Sequence, residues 1–521
     1  MKVPFKTLLF FALLAARCTN APQSAPTPSQ TTPTSYTVTL ANSGGSFTIT
    51  GATGVTIALP DGTIVFPTSS TDTVVTNPPV DTSAGCAVLF GVNTNHWQPN
   101  QSKFQGVRCY LPIGWAFTEK GFYGQPLKQA QKTFLGVDDY LAAMKSANVD
   151  VLLCLMQSPD WLNGHSVGIN TNDFPPIRPG LDRENPKSYS EVAAIYKAFA
   201  IRYGSRQWPV GSYKLDPAPP RWTNDQPQTF KSGLNLVKFI EVGNEVDRWW
   251  KIGTPEYMTP REHAAFLIAV YDSIKLADPA LMVVMAGLTN YDTKYLAAMK
   301  SFCDERGRKF PCDVVNVHHY NNNGNLPGVQ PPTWLVNGGC SPESDKDMAT
   351  LAACVAFAKS IGLPCWLTEF GFDTEPNSQM SPTPITGQTN DQTVAQWNVR
   401  AALEGIRLGA SRSYLFTLAD EPNPSAGLFQ SCGLLRPESM AYVAKPAFNE
   451  FVRLNTELAG FKYIGDESTP TVRVLKFKHQ NGTIKFAYWS PTANKSTVQI
   501  KISGVQNLAT ETVQYITHLN N

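Results

Sequence analysis

The stretch LVKFIEVGNE, residues 236–245, decides the fold expected for this chain. Most of it is apolar, which is typical of a parallel strand that is covered on both faces. It then ends in Asn244 and Glu245, polar side chains that are costly to bury unless they are paired or used. Ligands bind at the carboxyl ends of strands in parallel α/β proteins. The stretch therefore predicts a parallel α/β fold with a site at Glu245.

Seven further apolar runs flank this stretch, with amphipathic helical segments between them. Such alternation indicates repeated βα units. Eight runs predict a (β/α)8 barrel over residues 86–455, although an open doubly wound sheet would give similar runs. No GxGxxG or GxxxxGK[ST] loop supports nucleotide binding. The seven runs are AVLFGV (87–92), GVRCYL (106–111), VDVLLCLM (149–156), LMVVMAG (281–287), VVNVHHY (314–320), PCWLTEFG (364–371) and SRSYLFTL (411–418).

Two β-rich segments are expected on either side of the barrel. Residues 36–85 alternate apolar and polar side chains between glycine turns, which predicts a small β-module. Residues 456–521 alternate again around an Asn-Gly turn at 481–482, which predicts a C-terminal β-sandwich packed on the barrel. The Pro/Thr/Ser-rich residues 21–35 are typical of a flexible linker.

The N-terminus has the pattern of an export signal. Lys2 and Lys6 precede an apolar run from Leu8 to Ala16 that is too short to span a bilayer. We expect residues 1–20 to be removed and the protein to be secreted, with lipid attachment at Cys18 as the alternative. No later segment reaches membrane-spanning length.

Composition favours an uncharged partner. The formal net charge is +2 and 16% of residues are charged, which gives no field that would attract nucleic acid or an acidic membrane. No CxxC or clustered Cys/His spacing suggests zinc, and we expect neither metal nor cofactor. Cys303 with Cys312, and Cys340 with Cys354, are candidates for pairing, whereas buried thiols are expected at Cys109, Cys154 and Cys365.

Polar side chains close four of the predicted strands: Arg108, Asn244 with Glu245, His318 with Tyr320, and Glu369. The presence of two carboxylates at the ends of two separate apolar strands requires an explanation, because burial disfavours the charged form of a carboxyl group. Glycoside hydrolysis supplies one, since it uses an acid and a second carboxylate on the same bond. Structural ion pairs with Arg108 or Arg248 are the other explanation.

The ordered set EVGNE, HHYNN and WLTEFGFDT, each on its own apolar run, resembles the clan A glycoside hydrolases. The segments RYG, LADEP and KPAFNEFVRL look most like the β-xylosidase and α-iduronidase branch, with the cellulase and mannanase branch close. The resemblance implies a retaining O-glycosidase. It assigns Glu245 as acid/base and Glu369 as nucleophile, and gives substrate-binding or supporting roles to Asn244, Arg108, His318 and Tyr320.

The doubled histidine leaves His318 and His319 as alternatives, although alternation points His318 and Tyr320 the same way. The clan often has a tryptophan at the end of strand eight, where this chain has SYLFTLADEP, so Phe416 or Tyr414 is the candidate substitute. Further sugar contacts are expected from tryptophans that follow strands, namely Trp115, Trp161 and Trp249.

Two other functions compete with hydrolysis. A carbohydrate-binding surface protein on a catalytically inactive barrel would keep the fold without turnover. A metal-dependent hydrolase would use His318, His319, Asp313 and a carboxylate, but adjacent histidines point to opposite faces of a strand. Sugar, linkage and endo or exo action depend on loop shape, which these patterns do not fix.

Overall fold

The structure is a computed structural model, and it describes two compact units, Met1–Thr76 and Asn77–Asn521. In the first unit it describes two antiparallel hairpins, β1 Ser35–Thr39 with β2 Ser46–Thr50, and β3 Thr56–Leu59 with β4 Gly62–Val65. The predicted signal peptide and residues 21–34 lie outside the described residues. In the second unit the described residues are 87–122, 136–164, 174–217, 229–289, 292–322, 338–425, 427–491 and 497–518.

Eight parallel strands of the second unit form one sheet whose order follows the chain. Strand β14 pairs with β5, and bridges from Val284 to Val314 and from Leu288 to Val317 join the other two edges. The sheet therefore closes into the predicted (β/α)8 barrel and is not an open sheet. In chain order the strands are β5 Leu89–Thr94, β6 Gly106–Pro112 with the short hairpin β7 Phe117–Thr118 and β8 Gly121–Phe122 after it, β9 Asp150–Met156, β10 Phe239–Val242, β11 Met282–Met285, β12 Val315–His318, β13 Cys365–Glu369 and β14 Arg412–Leu415.

Helices follow every barrel strand from β6 onward, whereas β5 is followed by the 3-10 turn Gln101–Lys103. Two of them begin at capping boxes, in which Thr259 pairs with Glu262 and Thr389 with Gln392. Their apolar faces bury against the strands in one continuous core. The helices are Ile113–Ala116, Val137–Ser146, Asp160–Asn163, Ser190–Tyr203, Pro260–Ala277, Thr293–Asp304, Met348–Ser360, Asn390–Arg407 and Pro446–Glu457.

The inside of the barrel is apolar at one end and polar at the other. A separate cluster of buried apolar side chains fills one level: Leu89, Leu152, Phe239, Met282, Val284, Val314, Trp366 and Tyr414. Side chains alternate along a strand, so the residues two positions further on face inward as well. Those positions include Glu241, Asn316 and Thr368, all fully buried. The barrel therefore carries a polar layer towards the carboxyl ends of its strands.

The C-terminal segment forms two antiparallel layers, as predicted. A four-stranded sheet has β15 Phe461–Asp466, β16 Arg473–His479, β17 Ile484–Trp489 and β20 Gln514–His518, and a hairpin has β18 Val498–Ile502 and β19 Val505–Ala509. Val474, Phe486 and Ile502 belong to the cluster between these layers. Phe477 and Trp489, from the other face of the sheet, join the barrel core.

The eight described cysteines are all buried: Cys109, Cys154, Cys303, Cys312, Cys340, Cys354, Cys365 and Cys432. Cys303, Cys312 and Cys340 form no disulfide. The expected pairing of Cys303 with Cys312, and of Cys340 with Cys354, is therefore wrong. Closeness in sequence does not produce the close approach of Cβ atoms that a disulfide needs. The thiols expected at Cys109, Cys154 and Cys365 are confirmed. Over the described residues, no helix is both long and apolar enough to cross a bilayer.

Candidate active site

Arg108 lies at the centre of the polar layer inside the barrel. It comes from β6, and its fully buried guanidinium pairs bidentately with Glu241 of β10, with Nε 2.6 Å from Oε2 and Nη2 2.8 Å from Oε1. Its Nη1 donates to Glu369 Oε1 of β13 at 2.6 Å. A buried charge is tolerated only when partners compensate it. Arg108 thus ties together three strands whose ends surround the cleft.

The Glu369 carboxylate is surrounded by donors. Oε1 accepts from Arg108 and from the Tyr110 hydroxyl at 2.8 Å, and Oε2 accepts from the Tyr320 hydroxyl at 2.8 Å. His318 Nδ1 lies 3.5 Å from Oε2. Burial raises the pKa of Glu369, but the charges of His318 and Arg108 and the two tyrosine hydrogen bonds outweigh it and lower that pKa. The carboxylate is therefore held in its charged form.

Glu245 follows β10 in a turn that the backbone does not adopt freely. Its φ is +48°, in the left-handed region that a non-glycine residue rarely occupies, and its N–H donates to the Gly287 carbonyl at 3.2 Å. The side chain is 22% exposed, compared with 7% for Glu369. Such strained positions cluster at functional sites. The turn presents the Glu245 carboxylate to the cleft.

His318 lies against both carboxylates. Nδ1 is 2.9 Å from Glu245 Oε1, while Nε2 is 3.1 Å from Thr368 Oγ1. Because the Thr368 hydroxyl donates to Asn316 Oδ1 at 2.7 Å, it accepts a hydrogen bond from a protonated Nε2. A proton on Nδ1 then makes the ring a cation. Burial lowers the pKa of His318, but the charges of Glu369 and Glu245 and a hydrogen bond to Glu245 raise it above its usual value.

Gly287 makes room for the His318 ring, since a Cβ added there would lie 2.0 Å from Nε2. The alternative histidine, His319, contacts Asp345 Oδ2 at 2.8 Å. Asp313 precedes β12, at the opposite end of that strand from His318 and His319, and it pairs with Lys275. The metal set considered from sequence is therefore not assembled.

The two carboxylates converge on one point. One oxygen of Glu245, one oxygen of Glu369 and one ring nitrogen of His318 all lie within 4.8 Å of one another. This trio has the donor types of a cation site. However, Arg108 already contacts Glu369 Oε1 at 2.6 Å, and its charge would repel a metal ion there. Two carboxylates so close can instead act on one bond of a bound molecule.

Asn244 is oriented by the same arginine. Its Oδ1 accepts from Arg108 Nη2 at 2.5 Å, which directs the other atom of the amide, the Nδ2 donor, away from Arg108. Asn244 also lines the cleft. It can therefore offer a donor to a ligand beside Glu245.

A cleft of about 590 Å³ opens over Glu245 and Glu369. Aromatic side chains line its walls: Trp97, Tyr320, Phe416, Phe429 and Tyr442. The Phe429 ring lies 4.7 Å from Tyr320 and 5.9 Å from Phe416 between ring centres, so these three form a continuous wall. Tyr414 is fully buried inside the barrel. Of the two candidates for the missing tryptophan, only Phe416 therefore faces the cleft.

The structure brings together six of the residues singled out from sequence: Arg108, Asn244, Glu245, His318, Tyr320 and Glu369. The three tryptophans predicted to bind sugar are not part of this group. Trp161 packs against Phe117 and Arg178, and Trp249 contacts Trp250; neither lines the cleft. Trp115 lies in the short helix after β6, with its side chain outside the described residues. A sugar contact from these three tryptophans stays a prediction.

Sequence reasoning missed Tyr110, Glu241 and Trp97. Period-two alternation was the available signal for Tyr110, because it follows Arg108 by two residues on β6. Glu241 is the single charged residue of FIEV (239–242), the apolar run before Glu245. A single charge in such a run is also typical of one solvent-exposed position on a strand. Trp97 follows β5 within the polar stretch NTNHWQPN (93–100), so its position after a strand was the available signal for it.

Three solved structures to which the chain is similar are glycoside hydrolases. A family 39 glycoside hydrolase from Bacteroides cellulosilyticus has 14% identity and a TM-score of 0.53, over 91% of this chain and 90% of that one. The α-L-arabinofuranosidase from Thermotoga maritima has 11% identity and a TM-score of 0.48, over 83% and 92% of the chains. A family 51 α-L-arabinofuranosidase from Bifidobacterium longum has 15% identity and a TM-score of 0.47, over 82% of this chain and 87% of that one. No protein-family model and no curated protein matches the sequence. At such identity, the first likeness shows a shared fold.

Proposed function

We propose that this protein is a retaining glycoside hydrolase, with Glu369 as nucleophile and Glu245 as general acid/base. The observation that carries the proposal is the approach of a Glu245 oxygen and a Glu369 oxygen to within 4.8 Å in an open cleft. Carboxyl groups about 5–5.5 Å apart are typical of retaining enzymes, whereas inverting enzymes need about 6.5–9.5 Å to admit a water. We propose the β-xylosidase and α-iduronidase branch of clan A on the motifs alone.

Glu369 has the environment that a nucleophile requires. It must stay ionised while it approaches an anomeric carbon, and the buried Arg108 and two tyrosine hydroxyls favour that form. As the glycosyl ester forms, the carboxylate loses charge. Tyr110 donates to Oε1 and Tyr320 to Oε2, so the oxygen that does not bond to the sugar becomes the ester carbonyl and keeps its tyrosine donor.

Glu245 has the environment of a group that exchanges protons. It is the more exposed of the two carboxylates and lines the cleft, where a leaving-group oxygen and later a water can reach it. In the first step it donates a proton to the leaving oxygen, and in the second it removes one from the attacking water. His318 orients its Oε1.

Two residues of the site bind or position without exchanging protons. Asn244 lines the cleft with its Oδ1 held by Arg108, and its Nδ2 is proposed to donate to a sugar hydroxyl next to the reacting carbon. Arg108 holds both Asn244 Oδ1 and Glu369 Oε1, so it fixes the distance between them. Orientation of this kind contributes substantially to rate.

The test uses aryl glycosides with good leaving groups. Glu369→Gln should abolish turnover, because an amide does not form the ester. Glu245→Ala should show a burst followed by slow release, and azide should restore turnover with retained configuration, because such leaving groups need no acid. Tyr488→Phe, on the C-terminal sheet, is a control that should keep activity. A Glu369→Gln variant with much of the wild-type activity would overturn the proposal.

A metal-dependent hydrolase is the second candidate, since the Glu245, His318 and Glu369 ligand atoms converge. Elemental analysis of purified protein, with activity measured before and after chelation, distinguishes the two. The glycosidase proposal expects activity that is independent of metal. Loss on chelation and recovery with one divalent cation would favour the metal enzyme.

We also propose that the protein acts after export, on the strength of Lys2, Lys6 and the apolar run that follows them. N-terminal sequencing of exported material should find a start near residue 21. Partition into detergent would instead indicate lipid at Cys18, and Met1 at the start would exclude an export signal.

A further inference from the structure

The described residues that line the cleft include carboxylates but no cationic side chain. Among the described residues that line it, none is lysine, arginine or histidine, whereas the carboxylates are Glu245, Glu369, Asp420, Glu421 and Glu438. The other lining residues are amides, a threonine, apolar residues and aromatic rings. A bound molecule therefore meets carboxylates and neutral groups on the walls.

The described cations beside the cleft are already engaged by carboxylates of the protein. His318 is buried, and its Nδ1 lies 2.9 Å from Glu245 and 3.5 Å from Glu369. Arg108 is fully buried and pairs with Glu241 and Glu369. Lys445 is also fully buried, and its Nζ lies 2.6 Å from Asp420 Oδ1. Each arginine or lysine here compensates a carboxylate of the protein itself. Neither offers charge to a ligand.

Arg248 lies beside the cleft and is enclosed. It is 9% exposed and lines a neighbouring cavity of about 30 Å³ together with Glu256, and that cavity shares Met156, Gln157 and Asn244 with the cleft. That volume holds about one water molecule. Arg248 itself does not line the cleft.

One wall carboxylate lacks a compensating charge. Glu421 follows β14, is exposed, and has no ion-pair partner among the described residues. An anionic sugar beside it would lose hydration without gaining a cation and would be repelled. The C–H faces of an uncharged sugar can stack on the rings of Trp97, Phe416 and Tyr442 instead.

We infer that the cleft selects glycans whose sugars next to the scissile bond carry no carboxylate or sulfate. This inference rests on the proposed glycosidase function and narrows it. Uronic-acid and sulfated glycans are excluded as preferred substrates, and uncharged hexosyl or pentosyl chains are favoured. The selection comes from Glu421 and from a cleft wall that, over the described residues, presents no cation to a ligand.

Matched aryl glycosides test the inference, because a glucoside and a glucuronide differ only at C6. Both anomers of the 4-nitrophenyl gluco and galacto pairs should be compared by kcat/KM. We expect the acidic member of a cleaved pair to be at least about tenfold poorer. Turnover of a uronide as fast as its neutral partner would overturn the inference and leave the proposed function standing.

A charge-reversal variant tests the cause. Glu421→Lys should lower the ratio of kcat/KM for the neutral glycoside to kcat/KM for its uronide several-fold. Added salt should reduce this effect of the lysine. Glu467→Lys is the matched control, because Glu467 follows β15 on the C-terminal sheet and pairs with Lys476. It should leave the ratio unchanged. An equal effect of both variants would show that Glu421 does not set the selection.

If no glycoside is cleaved, that result counts against the proposed function. The inference about charge is then tested by the binding of neutral and acidic polysaccharides. Affinity electrophoresis should then compare gels that contain neutral β-glucan, xylan or galactomannan with gels that contain polygalacturonate or carrageenan. Retardation by a neutral polymer alone supports the inference. Retardation by an acidic polymer at equal strength, or by none of the neutral polymers, overturns it.

Discussion

At the scale of single residues, the site depends on the balance of charge between Arg108, His318 and the carboxylates around them. Glu369 accepts hydrogen bonds from Arg108 and two tyrosines, while His318 lies between Glu245 and Glu369. The position of His318 in turn depends on Gly287, because any side chain there would overlap the ring. Small shifts of this ring should alter catalysis.

Gly287→Ala should therefore lower kcat by roughly 100-fold, since displacements near 1 Å at catalytic groups have such effects. Gly465→Ala is the control, because a Cβ there meets nothing within 4 Å. Both variants should be compared for kcat on an aryl glycoside and for Tm. Unchanged kcat in Gly287→Ala would show that the His318 position is not important to the reaction.

The charge on His318 predicts a pH-dependent stability. Its pKa is raised in the folded state, so the stabilisation is fully present below the unfolded value of about 6.5 and is lost as pH rises through the folded pKa. The Tm difference between wild type and His318→Gln should therefore be larger at pH 5 than at pH 9. A difference that grows with pH would contradict a protonated ring.

The lowered pKa of Glu369 acts in the opposite direction. It stabilises the fold above the unfolded pKa of a glutamate, about 4.3, and that contribution is lost as pH falls through the folded value. The pH 5 to pH 9 comparison lies above this transition. The wild-type carboxylate therefore stays charged throughout that comparison.

At the scale of elements, alternation along the strands explains what sequence could predict. Glu245 and Glu369 end apolar runs and Arg108 interrupts one, so their exceptional position is visible in the chain itself. Glu241 and Tyr110 act only through neighbours on other strands, and that pairing depends on the register of the barrel. The tryptophan contacts depend on loop shape, which is why Trp161 and Trp249 were expected in the cleft and Trp97 was not.

The polar layer should contribute strongly to stability, because Arg108 joins β6, β10 and β13. Arg108→Leu leaves Glu241 buried without its partner and should cost about 3–5 kcal/mol of unfolding free energy. Lys238→Ala is the control, since it breaks an exposed pair with Asp150 that should contribute at most about 1 kcal/mol. Equal losses in urea unfolding would contradict this difference.

At the scale of the whole molecule, the barrel and the C-terminal sheets share one core. The fully buried Trp489 donates its indole N–H to Glu343 Oε1 at 2.6 Å, and Val88 N donates to the Phe461 carbonyl at 2.8 Å. The first unit, Met1–Thr76, contains none of the site residues. Its sequence is therefore expected to serve something other than the chemistry.

Two truncations should separate these roles. A chain that ends at residue 458 lacks Phe477 and Trp489, so the apolar surface of the barrel that they cover becomes exposed to water. Such a chain should be insoluble or lose cooperative unfolding. A chain that begins at residue 77 should keep wild-type kcat on a small aryl glycoside. A soluble, fully active barrel that ends at 458 would show that the C-terminal sheets are dispensable.

The stereochemistry of hydrolysis tests the central claim most directly. Proton NMR during cleavage of an aryl glycoside by the wild-type enzyme reports the anomer that forms first, before mutarotation. Because one oxygen of Glu245 and one oxygen of Glu369 lie within 4.8 Å of each other, we predict that the first product has the anomeric configuration of the substrate. An initial product of inverted configuration would contradict the assignment of Glu369 as nucleophile.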